Sequence, residues 1–105
     1  MSVPLPAISV TEILARKAAA LSPEAVPAQV RERAEQLLID VVGLCIAARR
    51  TDYMQALVGA VDSGGPCTGI GHAAGFSAED AALINGTATH GEDFDDTFEG
   101  GPVHS

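Results

Sequence analysis

The sequence predicts an all-α fold of about four helices joined by a glycine-rich connector. Apolar residues recur at intervals of three and four along several stretches, which is the period of a helix. Hydrophobic residues make up 47% of the chain but aromatic residues only 4%, and alanine supplies much of the apolar content. Small side chains suit closely packed helices, yet each buries little area. We therefore expect a helical chain with a small hydrophobic core that forms part of a larger protein.

The first two helices are predicted from capping signals and periodicity. Ser9 with Glu12 three residues later is typical of a capping box, which predicts a first helix from Val10 to about Leu21. A second helix is predicted from about Ala28 to Ala48. Its apolar residues lie almost all round the helix, which is typical of a central helix covered by others.

A third, short helix and a connector follow. Thr51 or Asp52 can cap a helix that ends near Val61. We expect residues 62–66 to form a loop and residues 67–76 to form a glycine-rich connector without a strand, because neither has a strand pattern.

A fourth helix is predicted after Ser77, an N-cap residue followed by two acids in the first turn. The pair Asn85-Gly86 is usually a hairpin signal. Because no alternating β-branched run flanks this pair, we assign it to the fourth helix.

Composition and charge exclude several classes of function. The net charge of −8 argues against a nucleic-acid surface. The most apolar run, residues 37–48, is interrupted by Asp40 and is too short to span a bilayer. The first ten residues lack the pattern of a secretory signal, and two cysteines 22 positions apart have no metal-ligand spacing. We expect a single partial domain over residues 1–105 of a soluble, cytoplasmic protein.

The densest group of reactive side chains lies in residues 90–105. This stretch holds five carboxylates, two histidines and a threonine. If the fourth helix continued through it, His90, Asp93 and Thr97 would share one face. A carboxylate, a hydroxyl and an imidazole in one place are typical of an acid–base site. A solvated acidic turn remains an equal alternative on residue types alone.

The rest of this stretch would complete the site. Phe94 and Phe98 are four apart and would pack inward on the adjoining face. Residues 100–102, Gly-Gly-Pro, would stop the helix, and His104 would follow on a segment whose direction the glycines leave open.

The run Asn85-Gly86-Thr87-Ala88, then His90, Asp93-Phe94-Asp95-Asp96-Thr97, a glycine-rich turn and His104 resembles the MmgE/PrpD family. That family includes 2-methylcitrate dehydratases, cis-aconitate decarboxylases and iminodisuccinate epimerases. The resemblance implies that the chain is the N-terminal portion of an MmgE/PrpD-type helical domain, and that the family's later α/β lid domain is absent from it.

The resemblance also implies roles for individual residues. Asp93 matches the family's active-site aspartate and His104 its histidine after the turn, so both are expected to be catalytic. Thr97 and His90 are expected to bind substrate. The reaction implied is removal of a proton next to a carboxylate of a small di- or tricarboxylate, giving dehydration, decarboxylation or epimerisation, with no metal or organic cofactor.

The distribution of charged residues indicates that such a site would need residues from outside this chain. All six basic residues lie at or before Arg50, whereas nine acidic residues follow it. An anionic substrate needs cations, so we expect a missing C-terminal part or a partner chain, an oligomer, and a chain that is inactive alone. The alternatives are a non-catalytic helical interaction fragment and an acidic module that binds divalent cations.

Overall fold

The computed structural model describes residues 8–101, 103 and 104, and four helices dominate them. The chain divides into two compact units, residues 1–32 and residues 33–105. In chain order the elements are α1 (Val10–Ala19), a 3-10 turn (Pro23–Ala25), α2 (Ala28–Ala48), α3 (Asp52–Ala60), β1 (Ser63–Thr68), β2 (Gly75–Phe76) and α4 (Ala78–His90).

The first unit contains α1, the 3-10 turn and the start of α2. The predicted cap is confirmed, because the Oγ of Ser9 accepts a hydrogen bond of 3.1 Å from the N–H of Glu12. Helix α1 ends at Ala19 rather than at about Leu21. The difference lies in the last turn, where the Leu21 N–H already bonds to a carbonyl only three residues back.

Helix α2 has the predicted bounds but not the predicted burial. Only Cys45 and Ala48 are buried among its described residues. Leu38 and Ile39 are 64% and 73% exposed, so the prediction of a covered central helix is wrong for this chain. The apolar side chains of α2 point in all directions around the helix axis, and the other described elements of this chain do not cover most of them.

The core of the second unit is built from side chains that meet between α2, α3, β2 and α4. Phe76, Met54, Ile84 and Cys45 are its largest fully buried side chains. Helix α3 contributes Met54 and starts after Thr51 as expected, although no side-chain hydrogen bond caps it. This small core fixes α4, the helix that leads into the reactive stretch.

The chain is mostly helical but not all-α, because the predicted loop and connector form a small antiparallel sheet. Strand β1 occupies residues assigned to the loop, and it pairs with β2 through Thr68 opposite Gly75 and Cys67 opposite Phe76. A bulge separates the pair at Cys67 from that at Ser63. A Cβ atom at Gly75 would overlap the β1 backbone, so only glycine at this position allows β2 to pair with β1. The glycine content of this region had argued against a strand.

Helix α4 starts where Ser77 was predicted to cap it, with a hydrogen bond of 3.1 Å from the Asp80 N–H to the Ser77 Oγ. Asn85 lies within the helix, as assigned, and its side-chain amide holds the preceding connector. Its Oδ1 accepts from the Ile70 N–H at 2.8 Å and its Nδ2 donates to the Thr68 carbonyl at 3.0 Å. The motif asparagine is therefore a structural tie between α4 and the connector.

Among the helices that the structure describes, none has the length and hydropathy that crossing a bilayer would require.

Candidate active site

Helix α4 ends at His90, well before the predicted stop at residues 100–102. The Gly91 N–H donates to the Thr87 carbonyl, and the Asp93 N–H then donates to the His90 carbonyl at 2.9 Å. Asp93 has a φ of +55°, in the left-handed region that aspartate tolerates better than most residues. The predicted helical face shared by His90, Asp93 and Thr97 is therefore wrong, and a turn brings Asp93 back towards His90 instead.

Tyr53 of α3 packs against the end of α4. A Cβ atom on Gly91 would overlap the Tyr53 ring, so only glycine allows this close approach. The Tyr53 hydroxyl donates a hydrogen bond of 2.9 Å to the Glu92 carboxylate. Helix α3 thus anchors the first residues after α4.

A second turn returns His104 to the end of α4. Thr97 and His104 form an isolated antiparallel bridge. The Phe98 N–H donates to the Val103 carbonyl at 2.8 Å, and the Gly101 N–H donates to the Phe98 carbonyl at 3.1 Å. The glycine-rich turn therefore has a defined direction, which the sequence left open.

The two phenylalanines of this stretch do not pack inward. Phe94 is 75% exposed and Phe98 is 67% exposed. Their expected helical pairing fails because the backbone after Gly91 is not helical. Apolar packing by these rings therefore does not hold the site together within this chain.

Asp95 is the centre of the site. Its side chain is only 2% exposed, and its carboxylate faces both histidines of the stretch. The His90 Nδ1 lies 3.0 Å from Oδ1 and 3.2 Å from Oδ2. The His104 Nδ1 lies 3.1 Å from Oδ2, without a hydrogen-bonding alignment. The two imidazole rings lie edge to face with centroids 4.4 Å apart.

The surroundings of Asp95 favour its ionised form. Burial of the carboxylate acts to raise its pKa, but the hydrogen bond with His90, a bond from its own backbone N–H and the charges of His104 and His90 outweigh burial. The net result is a pKa of Asp95 below its ordinary value of 3.8. Asp95 is thus an anion at neutral pH and can only accept hydrogen bonds.

Asp93 completes a cluster of four ionisable side chains. His90, Asp93, Asp95 and His104 each offer one ligand atom, and these atoms all lie within 4.8 Å of one another. Imidazoles and carboxylates also bind zinc and manganese, so these four residues could hold a divalent cation. The Nδ1 atoms of both rings already face Asp95, so any cation would have to compete with these contacts.

A groove of about 610 Å³ lies beside the cluster. Thr97 and His104 line it, so the structure brings these two predicted residues together. Arg33 of α2 also lines it, and its NH1 bonds only to the Gln36 amide oxygen among the described residues. The groove is completed by Leu37, Asp96, Phe98, Glu99 and Val103.

A second, apolar groove of about 450 Å³ follows the exposed side of α4 and reaches His90. Leu83, Gly86 and Thr87 line it, at the helical spacing of three and four. Gly86 and Thr87 leave this side of α4 open. Gly86 has no neighbour within 4 Å of the position that a Cβ would take.

Sequence reasoning missed Asp95 and Arg33. The stretch contains five carboxylates, and without a known backbone no one of them stands out as buried. The spacing of two between Asp93 and Asp95 is no guide either, because Asp93 has a left-handed φ and is exposed whereas Asp95 is buried. Nothing in the sequence connected Arg33 with residues more than sixty positions later.

These observations define a mainly helical domain that carries a carboxylate–imidazole cluster at the end of a helix. The sequence profile of the MmgE/PrpD N-terminal domain matches residues 12–105. The chain belongs to the MmgE/PrpD family.

One curated relative is the cis-aconitate decarboxylase-like protein oryM of Aspergillus oryzae, strain ATCC 42149 / RIB 40. It is 28% identical over 100 residues, which cover 92% of this chain and 21% of the relative. The chain thus spans about one fifth of that relative's length. No solved structure matches the chain significantly.

Proposed function

We propose that this chain is the N-terminal part of an MmgE/PrpD-type enzyme that removes a proton next to a carboxylate of a small di- or tricarboxylate. The observation that carries the proposal is the cluster itself. His90, Asp93 and His104 come from a helix end and two turns, yet they converge on one buried carboxylate. Groups that can accept and return protons are thereby brought within reach of one bound molecule.

Asp93 and His104 are the proposed proton-transfer groups. The Asp93 side chain is exposed, so its carboxylate is open to a substrate. The His104 imidazole lies between Asp95 and the groove that Thr97 lines. In this proposal the Thr97 hydroxyl and the His90 imidazole hydrogen-bond the substrate, and the intermediate anion forms beside them.

The proposed substrate class is supported by the family and by the relative's description as cis-aconitate decarboxylase-like. Arg33 offers one cation at the groove for a substrate carboxylate. The carboxylates of Asp96 and Glu99 line the same groove, so further cations are needed. We propose that they come from the remaining part of a longer cytoplasmic, oligomeric enzyme or from a partner chain, and that the chain is inactive alone.

Kinetics on the complete assembly test this proposal. With a substrate such as cis-aconitate, Asp93→Asn or His104→Ala should lower kcat about 10²–10⁴-fold, the usual contribution of a general acid or base. Asp62→Asn, in an exposed residue after α3, is the matched control and should leave kcat unchanged. Far-UV circular dichroism should show the same helix content in all variants.

Two results would contradict the proposal. Undiminished turnover in Asp93→Asn and His104→Ala would favour the alternative of a non-catalytic helical interaction fragment. The exposed apolar side chains of α2 are consistent with that alternative. A complete loss of turnover with EDTA, restored by a divalent cation, would favour a metal site at the cluster.

A further inference from the structure

The hydrogen on one nitrogen of His90 follows from the chemistry of its partner. An ionised carboxylate has no hydrogen to donate, so the Nδ1 of His90, at 3.0 Å and 3.2 Å from the two Asp95 oxygens, must carry the hydrogen of this bond. When the ring is neutral, its lone pair then resides on Nε2. A free imidazole in water has no such constraint.

His104 lies against the same carboxylate, beside the His90 ring. Its Nδ1 is buried and has no hydrogen-bond partner among the described residues, and its nearest acceptor is the Asp95 Oδ2 at 3.1 Å. The bridge with Thr97 fixes the backbone on which the ring is carried. An Nδ1–H directed at Oδ2 would leave the lone pair of this ring on Nε2 as well.

We propose that Asp95 is the positioning residue of this cluster, whose buried carboxylate binds the Nδ1–H of both imidazoles and leaves Nε2 of each ring available to a substrate. The catalytic use of this arrangement rests on the proposed function, whereas the contacts between Asp95 and the two rings do not. Asp95 itself is buried beneath the rings, whereas Asp93 is exposed and remains the carboxylate that a substrate can touch. One acidic residue thus orients the two imidazoles while another meets the substrate.

Imidazole tautomers measured by NMR test the inference directly. Long-range ¹H–¹⁵N spectra of the ¹⁵N-labelled chain, recorded at about pH 8.5 where imidazoles are ordinarily neutral, distinguish Nδ1–H from Nε2–H rings. We expect His90 and His104 in the Nδ1–H form. In Asp95→Ala both rings should revert to the mixture of a free histidine, in which Nε2–H predominates.

Two controls make the result specific to Asp95. Asp93→Asn removes the other carboxylate of the cluster and should leave both tautomers unchanged. His72 lies against Phe76, outside the cluster, and should have the same spectrum in every variant. A purely structural role of Asp95 would change dispersion throughout the spectrum without selecting one tautomer in the wild-type chain.

The wild-type spectrum decides the matter even if Asp95→Ala does not fold. An Nε2–H form of His90 in the folded wild-type chain would overturn the inference, as would tautomers that Asp95→Ala leaves unaltered in a folded variant. The outcome is separable from the proposed function. If the tautomers are as expected but Asp93→Asn retains full turnover in the complete assembly, the catalytic proposal fails and the positioning inference stands.

Discussion

The core around Phe76 and the motif segment (residues 91–101, 103 and 104) are held by opposite kinds of contact. Phe76 is 1% exposed, whereas Phe94 in the motif segment is 75% exposed. The motif segment instead depends on the contacts of Asp95 with two histidines and on the hydrogen bond between Tyr53 and Glu92. Packing thus positions α4, and polar contacts position the reactive groups that follow it.

The sharpest test of this comparison replaces the same residue type in both regions. Phe76→Ala should lower the free energy of unfolding by about 3–5 kcal/mol, because it removes the largest side chain of a small core and leaves a cavity. Phe94→Ala should change it by no more than about 0.5 kcal/mol. Urea unfolding followed by circular dichroism measures both. Similar decreases in the free energy of unfolding of the two variants would show that Phe94 is packed in solution, and would contradict the difference between the two regions.

A smaller effect is expected at the junction between the two regions. Gly91→Ala places a Cβ against the Tyr53 ring and should lower the free energy of unfolding by about 1–3 kcal/mol. Gly86→Ala, five residues earlier and inside α4, meets open space and should raise the free energy of unfolding by about 0.5–1 kcal/mol. Thermal unfolding of the two variants beside the wild type gives the signs. A neutral Gly91→Ala would contradict the close approach of the Tyr53 ring to this backbone.

The smallest effect we expect is on the pH dependence of stability. The pKa of Asp95 is lowered in the folded chain, so its ionised form stabilises the fold at pH values above the ordinary 3.8. That contribution is lost as the pH falls below 3.8 and through the lower folded pKa. The advantage of the wild type over Asp95→Asn should therefore shrink as the pH falls below 3.8. Urea titrations at several pH values measure it, and an advantage that grew in acid would contradict the assigned direction.

The helices could be predicted because their signals are local. The bounds of α2 and the caps at Ser9 and Ser77 depend on residues within one or two turns. The strand β1 could not be predicted, since its sequence SGGPCT has weak strand propensity and it forms only because β2 approaches it closely. Tertiary contact outweighed composition at that position.

The candidate site was predictable in its residue types but not in its geometry. The motif identified His90, Asp93, Thr97 and His104, and the structure brings three of them into one cluster. The assumed continuous helix was wrong, because the chain turns after Gly91 and Asp93 takes a left-handed φ of +55°. The importance of Asp95 depends on burial, and burial depends on how two turns fold back on the end of α4.

The tie made by Asn85 has a consequence for covalent ageing. In a flexible peptide, asparagine followed by glycine readily loses ammonia, since the unhindered glycine amide nitrogen attacks the side-chain carbonyl to give a succinimide. In α4 the Gly86 amide is engaged in the helix, and the Asn85 side chain is held by Thr68 and Ile70. The two reacting groups are kept apart for as long as α4 is folded. The extent of deamidation at this pair therefore measures how often the middle of α4 unfolds during the lifetime of a molecule.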